Sequence, residues 1–183
     1  MNQQISGGFT DAPRQSATAF RALLDAMSRP GQWQQITGAT PPAPLSPAAG
    51  AVILTLADPN TPLHLAGALD CPDVRYWITF HTAAPLVPAS DASIVIGNWQ
   101  DLQPLDRFAI GTPEYPDRAA TLIVTLDAPP APNARLTGPG IRDAIAAFCP
   151  GDRPTAFPLG LDLILAAQEQ IMGLPRSTNV EFT

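Results

Sequence analysis

Lysine is absent from this sequence, because all ten of its basic residues are arginine. A Schiff base with a carbonyl compound or with pyridoxal phosphate requires a lysine amine, and a Walker A loop requires a lysine that reaches the nucleotide phosphates. The chain therefore cannot carry out either chemistry alone. A compositional preference for arginine would account for the absence without weakening this exclusion.

Cysteine is scarce as well, since the chain has only Cys71 and Cys149. They form neither a CxxC pair nor the framework of a disulfide-rich protein, and each directly precedes a proline. We expect both thiols to be reduced and buried.

Charge and long apolar runs are the next features that the sequence lacks. Charged residues make up 14% of the chain, the net charge is -6 and the pI is about 4.6. Nucleic acid and anionic membranes both attract basic proteins, so neither is expected as a partner. No run of eighteen apolar residues occurs, and residues 1–9 show no signal-peptide pattern. These absences predict a cytoplasmic protein.

What the chain does contain is apolar and turn-rich. Hydrophobic residues make up 45% of 183 residues, enough for one substantial core, and the few charges leave apolar surface for another protein to cover. The 22 prolines and 13 glycines are spread along the chain, which indicates turns between regular elements and not a disordered tail.

The first helix has clear signals at both ends. Asp11 can cap it, Pro13 suits its first turn, and Arg29-Pro30-Gly31 ends it. Its arginines Arg14 and Arg21 fall on the side opposite the apolar residues, where they form a solvated face or a face for a phosphate or a partner. The predicted apolar side comprises Ala17, Phe20, Leu23, Leu24 and Met27.

Further elements follow from capping and composition. Ser46 and Pro47 predict a second helix up to Asp58, although a buried strand fits the same residues. Helices are also predicted at 141–148 and 162–172. Strands are predicted at 76–81, 93–96, 108–110, 120–126 and 135–137. The alternation predicts the α/β class, as a single domain over residues 1–183 with a mixed central sheet flanked by helices.

Few residues suggest catalytic or metal chemistry. His64, Cys71 and His81 match no zinc-ligand spacing, and no nucleophile motif accompanies the histidines. We expect no metal site and no catalytic residue, with His81 as a packed or capping residue. Asp162 is interpreted as a helix cap.

Two short motifs suit anions. Gly138-Pro139-Gly140-Ile141 resembles a phosphate-binding loop, but Pro139 has no N–H to donate, which favours a tight turn with close backbone approach. Arg176, Ser177 and Thr178 follow Pro175 and suit a carboxylate or phosphate. A carboxylate of the same chain or of a partner protein is at least as good a partner for Arg176.

Several motifs together carry a family resemblance. They are Gly8-Phe9 with Asp11, Phe20-Arg21 through Met27, Arg29-Pro30-Gly31, Asp58 with Thr61-Pro62, Pro113-Glu114, Gly138-Pro139-Gly140-Ile141, Phe157 through Asp162, and Leu174-Pro175-Arg176. In this order and spacing they resemble the PhnH family, the H-type subunit of the bacterial carbon-phosphorus lyase system. Ser177 stands where the family more often has threonine, which keeps the hydroxyl.

The resemblance implies an accessory, non-catalytic subunit. Such subunits join G-, I- and J-type partners in a core complex that forms ribose 1-methylphosphonate 5-triphosphate from ATP and methylphosphonate. The family fold is similar to a pyridoxal-phosphate transferase domain without its cofactor site, and its members are homodimers. We expect no cofactor in this chain.

The alternative function is a free-standing hydrolase or transferase acting on a phosphorylated sugar or nucleotide, which would bind its ligand without partners. Under either function, the candidate binding or interface residues are Arg14, Arg21, Arg29, Gly138, Pro139, Gly140, Ile141, Asp162, Arg176, Ser177 and Thr178.

Overall fold

The computed structural model describes residues 6–183, which form three α-helices and eleven strands. The helices are α1 (Ala12–Ser28), α2 (Pro47–Leu56) and α3 (Pro72–Thr82). The strands are β1 (Gln34–Gln35), β2 (Leu63–Leu65), β3 (Ile94–Gly97), β4 (Thr121–Leu126), β5 (Ala134–Thr137), β6 (Ile145–Ala147), β7 (Thr155–Ala156), β8 (Leu159–Gly160), β9 (Asp162–Ala167), β10 (Gln170–Leu174) and β11 (Asn179–Phe182).

The central sheet has six strands in the order β1-β10-β9-β4-β3-β2. Strands β2, β3, β4 and β9 are mutually parallel, whereas β10 and β1 join in antiparallel pairing, so the predicted mixed sheet is confirmed. A smaller antiparallel sheet has the order β11-β5-β6, and β7 pairs with β8.

Each face of the central sheet has its own core. In β4, Ile123 packs with the helices, whereas Leu122 and Val124 point to the opposite face. That opposite face is covered by the small sheet, through residues such as Leu136 of β5, and by short 3-10 turns. The prediction of flanking helices is therefore correct for one face and wrong for the other.

Helix α1 begins and ends where predicted, but the Asp11 side chain makes no capping hydrogen bond and the predicted apolar side is wrong. The buried residues are Ala19, Leu23 and Ala26, while Phe20 and Leu24 are 47% and 55% exposed. The helix packs between α2 and β10, so only a narrow stripe is covered. None of the helices described in residues 6–183 is long and apolar enough to cross a membrane.

Helix α2 begins as predicted. The Ser46 side chain accepts a hydrogen bond from the Ala49 amide at 3.2 Å, and Pro47 occupies the first turn. Every residue of 48–53 is buried, because α2 lies between α1, α3 and the sheet. The alternative of a buried strand is wrong.

The strand predicted at 76–81 is wrong, because these residues lie in α3. Its aromatic and β-branched residues favour a strand locally. Pro72 is nevertheless suited to a helix start, and the buried residues Val74, Trp77 and Ile78 recur with helical spacing.

The helix predicted at 162–172 is wrong as well. Its leucine, alanine and glutamine are good helix formers, but the segment forms β9 and β10, joined by a turn at Gln168 with φ 51°. Strand β9 lies between β4 and β10 and is buried on both faces, so tertiary burial overrides local propensity.

Smaller elements give a mixed outcome. The strands predicted at 93–96, 120–126 and 135–137 are confirmed within a residue. In 108–110 only Ile110 forms a bridge, to Ala119. Residues 141–148 are not helical and contain β6, which pairs with β5.

Candidate functional site

Arg176 lies where the antiparallel pair of β9 and β10 ends. The Thr178 amide donates to the Pro175 carbonyl at 2.9 Å and closes a turn around Arg176. The Arg176 amide donates to Oδ1 of Asp162 at 2.7 Å, and Nε and Nη2 donate to Oδ2 at 3.1 and 2.6 Å. Asp162 is therefore the partner of Arg176, and its interpretation as a helix cap is wrong.

This ion pair is largely enclosed, since the two side chains are 14% and 17% exposed. Of the two interpretations left open for Arg176, the structure shows the one with a carboxylate of the same chain. Charge-assisted bonds in such an enclosed pair are strong and fix both groups.

The same guanidinium also joins two loops. Nη1 of Arg176 donates to the carbonyls of Pro116 at 2.6 Å and Pro158 at 3.3 Å. Beside these carbonyls, Tyr115 and Phe157 are 51% and 72% exposed. Arg176 thus holds in place two loops that each present an aromatic ring to solvent.

A third side chain completes this surface. The guanidinium carbon of Arg118 lies 4.0 Å from the ring centroid of Tyr115, in cation–π geometry. We call Tyr115, Arg118 and Phe157 the aromatic rim. Its composition, aromatic with arginine, is that of protein–protein contact sites.

The turn at 138–141 approaches neighbouring backbone closely. The Ile141 amide donates to the Gly138 carbonyl at 3.1 Å, and Gly138 and Gly140 have φ of 127° and 81°. A Cβ on Gly140 would lie 2.0 Å from the Ser28 carbonyl oxygen, and one on Gly138 would lie 2.9 Å from that of Ser177. The predicted tight turn is confirmed, and it contacts both the end of α1 and the Arg176 turn.

The arginines of α1 do not converge on this region as a group. Arg29 follows the end of α1 beside the 138–141 turn, whereas Arg14 lies about 22 Å away along the helix at 1.5 Å per residue. Arg14 and Arg29 approach Asp11 and Asp25 at 3.9 Å in exposed pairs. Such pairs contribute little to stability.

Arg21, the remaining arginine of that set, is exposed near the middle of α1. The structure therefore brings together Arg29, residues 138–141, Asp162 and residues 176–178, and leaves Arg14 and Arg21 apart. Their roles in binding remain predictions.

The two histidines make contacts within the fold, one with a backbone carbonyl and one with aromatic rings. Nδ1 of His64 lies 3.0 Å from the Val87 carbonyl oxygen, and the His81 ring packs against Trp77 at 4.9 Å and Phe80 at 5.1 Å between centroids. The packed position predicted for His81 is confirmed, on a helix and not a strand. Within residues 6–183 no three or more His, Cys, Asp or Glu side chains are grouped so as to hold a metal ion.

The cysteines differ from each other. Cys149 is 1% exposed, as predicted, but Cys71 is only partly buried. Asn133 accepts from the Cys149 amide at 2.8 Å and donates to its carbonyl at 2.9 Å. Burial raises the pKa of the Cys149 thiol, so this thiol is in its unreactive protonated form at neutral pH.

Sequence reasoning missed Arg153. Its Nη1 donates to the carbonyls of Leu161 and Leu174, and its Nη2 donates to that of Pro175 at 2.7 Å. Burial lowers the pKa of Arg153, although an arginine remains protonated at neutral pH. No sequence motif surrounds Arg153. The only signal that could have drawn attention to it is its position just before Pro154 and the 157–162 segment.

Comparison with known proteins gives consistent matches. The family model described as "Bacterial phosphonate metabolism protein (PhnH)" matches residues 7–181. The chain is 37% identical over 195 aligned positions to "Alpha-D-ribose 1-methylphosphonate 5-triphosphate synthase subunit PhnH" of Rhizobium meliloti (strain 1021), covering 98% of this chain and 97% of that protein. It is 32% identical over 184 positions to "Putative C-P lyase subunit protein HtxG" of Stutzerimonas stutzeri, and the alignment covers 92% of this chain and 87% of that protein.

Proposed function

Since this chain belongs to the PhnH family of bacterial phosphonate metabolism proteins, we propose that it is an accessory subunit of a carbon-phosphorus lyase complex. The observation that carries the proposal is the match over nearly the whole length to a relative named as a subunit of ribose 1-methylphosphonate 5-triphosphate synthase. In this role the chain supports formation of that product from ATP and methylphosphonate.

Finer features belong to the same proposal. The partners are G-, I- and J-type subunits, the chain forms a homodimer, and the complex works in the cytoplasm. The fold is that of a pyridoxal-phosphate transferase domain without its cofactor site. The parallel centre of the sheet and the lack of lysine support this last point.

The aromatic rim is the proposed contact with a partner subunit. Large exposed rings lose water when another protein covers them, and the backbone that carries both rings is held by Arg176, so less conformational entropy is lost on binding than from a mobile loop. Arg176 fixes the loops that carry Tyr115 and Phe157 through the carbonyls of Pro116 and Pro158. Arg176 therefore supports the contact indirectly.

The test is co-purification from a host that expresses the partner subunits with a tagged copy of this chain. Tyr115→Ala combined with Phe157→Ala is expected to lower recovery of the partners at least tenfold, because aromatic anchors at an interface commonly contribute about 2 kcal/mol or more. Thermal unfolding of the isolated variant should match that of the wild type.

The matched control is Phe182→Ala, which removes an aromatic ring of similar exposure, 45%, from β11. Normal recovery with this control and loss with the rim variant support the rim as the contact. Failure of the wild-type chain to recover any partner contradicts the subunit function itself. Normal recovery with both variants contradicts only the assignment of the rim.

A further inference from the structure

The parallel strands of the central sheet end at a crevice. Strands β2, β3, β4 and β9 run in the same direction, so the segments that follow them meet at one edge of the sheet. In open α/β sheets, ligands bind outside the carboxyl ends of the strands, at a point where neighbouring connections leave for opposite faces. The topology therefore favours a ligand at this edge.

Strands β2 and β3 meet this condition. After β2 the chain passes to the helical face, where Leu69 and Val74 join the core beside α3. After β3 the chain passes to the opposite face, where Leu102 and Phe108 lie in the other core. Because these two connections diverge, they leave an opening between them.

The opening has a volume of about 560 Å³, and we call it the strand-end crevice. Each of the four parallel strands is followed by a residue that lines it, namely Ala68, Asn98, Asp127 and Gln168. Ser46, at the start of α2, lines it as well. Binding pockets for small molecules commonly have volumes of about 300–1,000 Å³, so the crevice has room for a sugar or a nucleoside.

The charges in the strand-end crevice are of one sign. Among residues 6–183, the only charged side chains that line it are Asp101 and Asp127. Asn98 holds Asp101 in place, since Nδ2 of Asn98 donates to Oδ2 of Asp101 at 2.7 Å and the Asp101 amide donates to Oδ1 of Asn98 at 2.9 Å. An anion bound here would meet two negative charges and no positive one. The crevice therefore disfavours phosphorylated ligands.

The uncharged polar groups add donors to these acceptors. Oγ of Ser46 accepts from the Ala49 amide, so the Ser46 hydroxyl proton is free to be donated, and Thr125 and Gln168 bring a hydroxyl and an amide. Each hydroxyl of a sugar can both donate and accept, which suits such a mixture. An amine cation only donates and would leave these donors unused.

We propose that the strand-end crevice binds an uncharged polyol, a sugar that is free or part of a nucleoside. The carboxylates of Asp101 and Asp127 accept hydrogen bonds from the sugar hydroxyls, and Ser46, Thr125 and Gln168 donate to them. The site lies within one chain and does not rest on the proposed subunit function.

The test is an NMR titration of the isolated full-length chain with ribose, glucose and uridine and, separately, with ribose 5-phosphate and putrescine. Asp127→Asn keeps the size of the side chain and removes its charge. It is expected to weaken binding of the uncharged probes about tenfold, because hydrogen bonds to a charged acceptor are roughly twice as strong as those to a neutral one. Ribose 5-phosphate should bind the wild type more weakly than ribose does.

Two further variants show whether the crevice itself is the site. Asp143→Asn removes an exposed carboxylate before β6, outside the crevice, and should bind as the wild type does. Ala68→Trp places a large side chain at an exposed position of the crevice without removing any core contact, so it should abolish binding and leave the melting temperature nearly unchanged.

Binding of ribose or glucose that Asp127→Asn weakens and Ala68→Trp abolishes supports the site, and the same pattern with uridine alone shows that it takes the sugar within a nucleoside. The proposal is overturned if no uncharged probe binds at millimolar concentration or if binding is equal in either crevice variant and the wild type. Tighter binding of ribose 5-phosphate or putrescine than of every uncharged probe would also overturn it. None of these failures affects partner co-purification, so the subunit function is tested separately.

Discussion

Arg176 connects segments that are far apart in the sequence. One side chain reaches Asp162 at the start of β9, Pro116 in the loop before β4, and Pro158 between β7 and β8. Its rigid attachment follows from Pro175, which fixes the backbone just before it. The residue therefore acts first on the fold and only through the fold on any partner.

Replacing Arg176 with alanine is expected to lower the free energy of unfolding by about 2–4 kcal/mol, because the Asp162 carboxylate would remain enclosed without its counter-charge. Arg135→Ala is the control. Arg135 and Glu181 form an exposed ion pair, so this change should lower the free energy of unfolding by no more than about 1 kcal/mol. Chemical denaturation of both variants measures the difference. Equal stability of the two variants would show that Arg176 is only a surface residue.

The thiols give a second prediction at this scale. Alkylation requires the thiolate, and burial both raises the pKa of Cys149 and blocks access to it. Iodoacetamide at about pH 8 should label Cys71 in the native chain and reach Cys149 only after denaturation. Peptide mass spectrometry locates the label, and rapid native labelling of Cys149 would contradict its buried position.

The sequence predicted some of these residues and not others. The 138–141 turn was predictable because proline cannot donate an N–H and the flanking glycines permit the backbone that a tight turn needs. The partner of Arg176 was not, because Asp162 stood in a segment with the composition of a helix. Arg153 carries no local motif, and its position is set by tertiary contacts with Leu161 and Leu174.

At the scale of elements, capping signals were better guides than propensity. Helix α2 was predictable because a capping serine and a proline mark its start, and helix α1 because Pro13 lies in its first turn and Arg29-Pro30-Gly31 follows its end. The strand assigned to 76–81 and the helix assigned to 162–172 followed propensity and failed. In both, burial within the folded chain determined the structure, since α3 covers the sheet and β9 forms its centre.

The contact between the 138–141 turn and the end of α1 can be tested directly. Gly140→Ala places a Cβ 2.0 Å from the Ser28 carbonyl oxygen at a φ of 81°. We expect a loss of about 1–3 kcal/mol in the free energy of unfolding, from backbone strain and displacement of the turn. Thermal or urea unfolding measures it.

Pro139→Ala is the control for this change, because Pro139 is exposed in the same turn. Replacing this proline should lower the free energy of unfolding by less than about 1 kcal/mol, because the unfolded chain gains conformational freedom. A Gly140→Ala variant as stable as the control would mean that the turn can move away from α1 at little cost.

At the scale of the whole molecule, the helical layer is not fully covered. Phe20 and Leu24 of α1 and Tyr76 and Phe80 of α3 are each about half exposed. These side chains are large and apolar, so covering them favours association, which acts against the repulsion between copies that each carry a net charge of -6. Such a surface favours self-association.

If the proposed homodimer forms, the mass measured by sedimentation at micromolar concentration should be twice the 19.3 kDa of one chain. The hydrophobic contribution should hold the dimer together as salt is raised to about 0.5 M, where charge interactions are screened. Analytical ultracentrifugation at low and high salt measures the mass. A monomer under both conditions would contradict the homodimer.

The central position of β9 determines when a newly made chain can fold. Strand β9 lies between β4 and β10, and the small sheet is closed by β11, yet these strands come from the last 22 residues of the chain. Until they leave the ribosome, β4 has an apolar edge with unpaired backbone groups, which is prone to pairing with other chains. Both cores can therefore be completed only once residues 162–182 have been made, and until then the unpaired edge of β4 favours aggregation.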